Sequence, residues 1–278
     1  MGISPQAFYR RRRRVGQRRR EEEEVLCLVR LVRRRHRRLG VRKLLVKMRP
    51  WLEREGMGIG RDRLLALLWE HELLVPARRC HHRTTRAGTR RAPNLLAGRS
   101  FGQPDAAWVA DITYLELVEA GFAYLFVIMD LYSRHIVGWC VSSSLAAEHA
   151  LEALGQALRQ ACRPLRGTIH HSDHGAQYTS RAYWACLQEQ GLQASMGEVG
   201  NAYDNAYAER LLGTLKQEYG LAGAFRDVGE SRQAVAQAVH FYNTDRPHMR
   251  LDYATPWAVY HGSVTVEPVS VAKVGALP

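Results

Sequence analysis

From residue 106 onward, apolar segments of strand length alternate with segments in which apolar residues recur at helical spacing. The pattern predicts strands at 108–117, 122–129, 136–141, 168–171 and 192–196. It predicts helices at 147–161, 180–190, 206–219 and 230–242. Three consecutive strands followed by alternating helices and strands indicate an α/β fold, in which helices flank a mixed five-stranded sheet.

The first hundred residues have a different character, because they hold 28 Lys and Arg against 9 Asp and Glu. The remaining residues hold 12 against 18. Clustered cations neutralise phosphates and release counterions, so this part of the chain is predicted to bind nucleic acid. A solvated arm that only aids solubility is the alternative. An anionic membrane surface is disfavoured, since no apolar face accompanies the arginines at 10–14 and 18–20.

The basic part also carries a helical pattern. We expect a basic N-terminal arm at 1–24 and a helix-turn-helix-like DNA-binding region at 25–75, with helices over 25–40, 41–55 and 61–74. Any small helical bundle would give the same pattern. Arg61 and Arg63, on the third helix, are the candidates for base contact. A basic linker at 76–105, the α/β core at 106–262 and a C-terminal tail at 263–278 complete the predicted organisation.

The five cysteines are scattered and contain no C-x-x-C pair. This argues against a disulfide framework and against a thiolate zinc site. No apolar stretch reaches about 18 residues, and no apolar signal core stands at the N-terminus. A reducing cytoplasm is the expected setting.

Three carboxylates stand where carboxylates are otherwise costly. Asp111 lies within an apolar strand, Asp173 follows the end of another strand, and Glu209 lies on a helix. Buried carboxylates require a cation, and three oxygen ligands suit Mg²⁺ or Mn²⁺. Two such ions about 4 Å apart can promote phosphoryl transfer. Any one of these residues alone would be better interpreted as a surface charge or a helix cap.

The surrounding motifs carry a resemblance to a known family. They are WVADITY at 108–114, MDLYSRHIVGW at 129–139, HHSDHGAQYTS at 170–180, GNAYDNAYAER at 200–210 and FYNTDRPH at 241–248, and 35 residues separate Asp173 from Glu209. The chain resembles the D,D-35-E enzymes, which include retroviral integrases, and within them the second-frame (OrfB) transposases of the insertion-sequence-three family. The resemblance is strong over 106–260 and weaker upstream.

The resemblance implies a ribonuclease H-like integrase catalytic core and a DNA transposase that cleaves and transfers strands. It implies Asp111, Asp173 and Glu209 as catalytic ligands of two Mg²⁺ or Mn²⁺ ions. Lys216 shares a helix face with Glu209, where it could hold a phosphate or be a plain exposed lysine. The other candidates for DNA contact are His174, Gln177, Tyr178, Asn201, Tyr203, Asn205, Arg246 and His248. For the three residues at 201–205 the alternative is a role in ordering the start of the helix, and for Arg246 and His248 it is packing. Zinc at His170, His171 and His174 is disfavoured, since consecutive strand residues point to opposite faces.

The expected partners are the DNA ends of an insertion sequence, target DNA and further copies of the chain. Members of this family are often made as a fusion with an upstream OrfA protein, so an OrfA partner or fusion is a further expectation. The expected localisation is the bacterial cytoplasm, in association with the nucleoid. A catalytically silent DNA-binding repressor or architectural protein is the alternative, and a general metal-dependent nuclease is a weaker one.

Overall fold

The computed structural model describes residues 5–75, 90–119, 121–197 and 206–272, with side chains described from residue 15 onward. The chain divides into an N-terminal unit, Met1–Arg78, and a C-terminal unit, Arg79–Pro278. In neither unit do the described residues include a helix with the length and apolar character needed to cross a membrane.

The N-terminal unit contains three helices: α1 (Pro5–Arg35), α2 (Val41–Arg54) and α3 (Arg61–Glu70). Their apolar faces meet in one small core. Gly56 takes a φ of +64° in the turn after α2, a conformation that glycine adopts at no steric cost. The helix, glycine turn and helix therefore form where the sequence predicts them.

The start of α1 differs from the expectation. The sequence predicts a basic arm followed by a helix from about residue 25, but α1 runs without a break from Pro5. Arginine and glutamate both favour helices. Gln17 and Arg18 donate hydrogen bonds to Glu21 and Glu22, one turn further along. Such pairs four residues apart stabilise a helix, and they carry α1 through the segment interpreted as an arm.

The C-terminal unit is built on five strands: β2 (Ala107–Leu117), β3 (Gly121–Asp130), β4 (Ile136–Ser142), β5 (Ile169–Ser172) and β6 (Gln193–Met196). Their order in the sheet is β4-β3-β2-β5-β6. The pairs β2–β3 and β3–β4 are antiparallel, whereas β2–β5 and β5–β6 are parallel. The predicted mixed five-stranded sheet is confirmed, and β2 lies at its centre.

Helices cover both faces of this sheet. On one face lie α4 (Ala147–Gln160) and α5 (Arg181–Glu189), which pack against residues such as Trp108 and Phe126. On the other lie α6 (Ala206–Glu218) and α7 (Val228–Thr244), which pack against residues such as Leu115 and Val127. A 3-10 turn at Met249–Leu251 and α8 (Pro256–Tyr260) follow. The sheet is therefore buried between two helical layers.

Parts of the segments interpreted as linker and tail belong to this core. The short strands β1 (Ser100–Phe101) and β7 (Val269–Ser270) pair with each other in an antiparallel sheet. Leu96, within the predicted linker, is buried, and the Leu95 amide donates to Ser195 Oγ at 2.9 Å. These segments have little periodic signal, because their apolar contacts come from single residues between turns.

Gly138 on β4 provides a test of the packing between β4 and α4. A Cβ atom there would overlap the backbone carbonyl oxygen of Ala153 on α4. We expect Gly138→Ala to lower the free energy of unfolding by about 1–3 kcal/mol or more, since the backbone must shift. Gly155→Ala is the control, because a Cβ there would meet only the flexible end of Arg159. Gain of helix propensity should raise its stability by about 0.5–1 kcal/mol. Denaturant unfolding curves that show equal effects for the two variants would contradict the packing.

Candidate active site

Parallel pairing of β2 with β5 brings two of the predicted carboxylates side by side. Val109 on β2 is paired with His171 on β5. Continuing this register by two residues places Asp111 level with Asp173, which directly follows β5. Neighbouring strands lie about 4.8 Å apart, so the two carboxylates are held at close range.

Helix α6 adds the third carboxylate. Glu209 stands in the first turn of α6, which packs against β2. Lys216 lies two turns further along the same helix. The charges of Glu209 and Lys216 both act on the Asp111 carboxyl, so these residues share its electrostatic neighbourhood. Glu209 also borders a cleft of about 640 Å³ along α6, together with Arg210, Gly213 and Gln217.

The electrostatics of Asp111 show that the site concentrates negative charge. Removal from water is the main cause that raises the pKa of this carboxyl to about 8, and the charges of Asp173 and Glu209 act in the same direction. The backbone hydrogen bond from Ile112 and the charge of Lys216 act to lower this pKa. The charges of Asp173 and Glu209 oppose the ionisation of Asp111, and a bound cation would offset this effect. Three carboxylates are the oxygen ligands that hard divalent cations prefer, so the chemistry of this donor set fits magnesium or manganese.

Backbone amides orient the two aspartates. The Ile112 amide donates to Asp111 Oδ1 at 2.8 Å, and the Gly175 amide donates to Asp173 Oδ1 at 2.9 Å. A Cβ atom on residue 175 would lie only 2.9 Å from that same oxygen. Glycine at 175 therefore lets the loop close over the Asp173 carboxylate.

The residues after Asp173 support the site from within the protein. His174 Nε2 lies 2.7 Å from the Gly197 carbonyl, and Gln177 Nε2 donates to the Leu145 carbonyl at 2.9 Å. Tyr178 is buried against Tyr183. Its predicted contact with DNA is therefore wrong. Burial and the charges of Tyr183, Asp111 and Asp173 raise the pKa of its hydroxyl well above the usual range.

Arg246 has a structural position, which agrees with packing, the alternative to DNA contact for this residue. Its guanidinium is buried and makes two hydrogen bonds with Glu218, at 2.7 and 3.0 Å. A buried guanidinium in a paired carboxylate fork is not available to a phosphate. The backbone of His248 closes the turn that precedes α8, through bonds with Leu251, Tyr253 and Ala254. A role for its side chain in DNA binding stays a prediction.

The two arginines proposed for base contact have different surroundings. Arg63 is ion-paired with Glu22 of α1 and with Glu70, so it joins α3 to α1. Base contact by Arg63 stays a prediction, because its side chain is still partly exposed. Arg61 is exposed and forms an ion pair with the neighbouring Asp62. It stays a candidate. Asn201, Tyr203 and Asn205 lie outside the described residues.

The paired histidines before Asp173 are core residues. His170 Nε2 lies 2.9 Å from the Tyr183 hydroxyl on the α5 side of the sheet, and His171 Nδ1 lies 2.8 Å from Ser195 Oγ. Burial lowers the pKa of His170 to about 4. The two rings satisfy separate polar partners, in agreement with the argument against zinc at this motif.

Sequence reasoning missed Asp105, which ties several segments together behind the site. Its carboxylate accepts from the Trp108 indole at 3.0 Å, from the Tyr260 hydroxyl at 2.7 Å and from the Cys162 amide at 2.9 Å. Its own amide donates to Asp130. Asp105 is the last residue of the predicted linker, where no periodic pattern of apolar residues indicates a structural role for it. Its position immediately before a strand was the only signal that the sequence offered.

Comparisons with known proteins agree with this geometry. The integrase core domain family matches residues 102–202, and a second integrase core domain family matches 190–256. The transposase for insertion sequence element IS629 from Shigella sonnei is 39% identical over 225 residues, covering 80% of this chain and 73% of that protein. The transposase for IS904 from Lactococcus lactis is 39% identical over 154 residues, covering 55% and 60%.

A solved structure shares the fold. A chain of the simian T-cell lymphotropic virus intasome, determined in complex with the PP2A regulatory subunit B56 gamma, aligns with a TM-score of 0.50 and 18% identity. The alignment covers 86% of this chain and 77% of that one. The matching family models and the transposase relatives define this chain as a polynucleotidyl transferase of the DDE class, whose members depend on divalent metal. Within that class, the chain belongs to the insertion-sequence-three family of transposases.

The raised pKa of Asp111 makes a prediction for the protein without divalent cations. Between pH 3.8 and about 8 the unfolded state has released this proton while the folded state retains it. The contribution of Asp111 to stability therefore falls as pH rises through that window. We expect Asp111→Asn in EDTA to be more stable than the wild type, by a margin that grows from pH 5 to pH 8. Unfolding curves at both pH values measure it, with Glu116→Gln on the same strand as the control. An equal margin at both pH values would refute the electrostatic interpretation.

Proposed function

We propose that this chain cleaves DNA at the ends of an insertion sequence and joins the freed 3′ ends to target DNA. Asp111, Asp173 and Glu209 would hold two Mg²⁺ or Mn²⁺ ions for both steps. The observation that carries the proposal is the electrostatic coupling of these three carboxylates around one carboxyl group, Asp111. The membership of the chain in a transposase family supports the same function.

The two reactions have the same chemical form. First, a water oxygen bonds to a phosphorus atom as the bond to the 3′ oxygen breaks, which leaves a 3′-hydroxyl and a 5′-phosphate. Second, the oxygen of that 3′-hydroxyl bonds to a phosphorus atom of the target as that atom's bond to the target's own 3′ oxygen breaks, so a new phosphodiester replaces the old one. The divalent ions would supply the positive charge that favours both the attacking and the leaving oxygen. In each step the attacking oxygen loses its proton to solvent and the leaving oxygen gains one.

The protein's own contribution is to position groups. Asp111 and Asp173 have fixed directions because backbone amides hold one oxygen of each. Lys216 lies close enough to affect the charge of Asp111, where a cation can hold a non-bridging phosphate oxygen. In-line transfer depends mainly on such positioning and on electrostatic stabilisation. The geometry therefore suits phosphoryl transfer without a separate protein base.

We assign DNA binding mainly to the N-terminal unit. Arg34, Arg35 and Arg37 are exposed at the end of α1, and the unit carries most of the basic residues of the chain. Joining two element ends to a target requires more than one copy, so we propose that the chain acts as an oligomer on DNA. An upstream OrfA protein, as a partner or fusion, would complete the recognition of the ends.

The catalytic assignment has a direct test. We expect Asp173→Asn and Glu209→Gln each to lower strand cleavage and joining at least about 100-fold, since the ions supply several kcal/mol of charge stabilisation. Labelled element-end DNA with Mg²⁺ or Mn²⁺ provides the assay, and a gel-shift measurement checks that binding persists. Glu116→Gln is the matched control, because Glu116 is exposed on the same strand as Asp111. Unchanged cleavage in either variant would overturn the assignment. DNA binding without cleavage by the wild type, even with OrfA added, would favour a silent binding protein.

The N-terminal unit has a separate test in salt dependence. We expect replacement of Arg34, Arg35 and Arg37 by alanine to reduce the slope of log K against log salt by up to about 0.9 for each phosphate that is no longer neutralised. The same replacement at Arg159, Arg163 and Arg166 removes equal charge from exposed positions of the C-terminal unit. These precede β5, at the opposite end of that strand from Asp173. Equal changes of slope in the two triple variants would show that net charge, and not the N-terminal unit, determines binding.

A further inference from the structure

A second group of metal-ligand side chains lies between β4 and α4. Cys140 on β4 is buried, and His149 and Glu152 stand three residues apart on α4. Among the residues that the structure describes, these three alone bring His, Cys, Asp or Glu ligand atoms together within 4.8 Å of one another. We propose that Cys140, His149 and Glu152 form a binding site for one zinc ion, separate from the carboxylate site.

The distances suit a tetrahedral ion. Cys140 Sγ lies 3.1 Å from Glu152 Oε2, and His149 Nδ1 lies 3.9 Å from the same oxygen. Zinc binds sulfur at about 2.3 Å and nitrogen or oxygen at about 2.0–2.2 Å, so tetrahedral ligand atoms are separated by about 3.4–3.6 Å. The two measured separations bracket this range, and His149 and Glu152 are the side chains with room to adjust, since His149 is partly exposed and Glu152 is exposed. The fourth position is left for water.

The donor chemistry separates this site from the carboxylate triad. A thiolate and an imidazole select zinc, whereas three carboxylates select Mg²⁺ or Mn²⁺. Burial and the hydrogen bond to Glu152 raise the pKa of the Cys140 thiol to about 12, so an ion must displace this proton. The nearby charge of Arg232 acts in the opposite direction. Proton displacement by a bound ion is the ordinary behaviour of cysteine ligands.

The site would fasten α4 to the sheet. Its ligands come from both elements, close to Gly138, where the backbone of α4 approaches β4. Helix α4 covers the face of the sheet opposite α6, which carries Glu209. Binding there should therefore stabilise the C-terminal unit without supplying a ligand to the catalytic ions. No sequence motif marks this site, because the ligands do not form a C-x-x-C or H-x-x-x-H pattern.

Cobalt and zinc titrations test the site in the full chain, with Mg²⁺ in excess to occupy the carboxylates. We expect one equivalent of Co²⁺ to give a thiolate-to-cobalt charge-transfer band in the wild type. Zinc at about 100 times its Kd should raise Tm by roughly 5–10 °C. Cys140→Ser should lose the band, and His149→Ala and Glu152→Gln should weaken Zn²⁺ binding at least about 10-fold. Cys186→Ser, at a half-buried cysteine on α5, is the control and should retain all three responses.

Several outcomes would overturn the proposal. One is a wild type with no thiolate band. Another is a band that survives in Cys140→Ser or disappears in Cys186→Ser. If Cys140→Ser does not fold, the two helix variants decide, because both change side chains that reach solvent. Unchanged zinc affinity in both His149→Ala and Glu152→Gln would show that the three residues do not bind zinc. The contact between Cys140 and Glu152 would then be only a hydrogen bond.

Discussion

The removal of the Asp111 carboxyl from water, beside the charges of Asp173 and Glu209, is the constraint on which the site depends. The central parallel pair β2–β5 forces the two aspartates together, and the packing of α6 on β2 brings the glutamate near them. Such an arrangement costs folding energy unless a cation is bound. The fold therefore favours the binding of positive charge at this site, as the proposed phosphoryl transfer requires. The carboxylate cluster lowers the free energy of unfolding of the metal-free protein, but it holds three metal ligands in position before the ion binds.

The remaining polar interactions of the core make this arrangement rigid. Asp105 and Asp130 form a buried network at the start of β2, joined through the Asp105 amide, and Ser133 satisfies Asp130 with its amide and hydroxyl. Burial raises the pKa of Asp130 to about 7, although these hydrogen bonds act to lower it. The network fixes the beginning of the strand that carries Asp111. Misplacement by even 1 Å would be costly for an in-line reaction, so these buried carboxylates serve geometry rather than chemistry.

Much of the C-terminal unit could be predicted from local pattern. The five strands follow apolar runs, and the three acids stand out because carboxylates rarely occupy such positions. The failures have a common cause, which is that long-range partners carry no local signal. Arg246 resembled a DNA contact, but its partner is Glu218, 28 residues away. The start of α1 was missed for a different reason: alternate blocks of Arg and Glu have no apolar period, yet they form a helix through pairs such as Arg18–Glu22.

The division of charge along the chain gives the two units different tasks. The C-terminal unit, Arg79–Pro278, holds 18 Lys and Arg against 18 Asp and Glu, so it has no excess of cations with which to attract a polyanion. Arg134, a cation in the motif at 129–139, is buried over the ring of Tyr207. In the proposed function, attraction of DNA comes mainly from the basic N-terminal unit and from the divalent ions that the three carboxylates would hold. The approach of DNA to the carboxylates would therefore depend on whether bound cations have already neutralised their charge. DNA that reaches the carboxylates before the ions would meet repulsion, which favours an order in which the metal binds first.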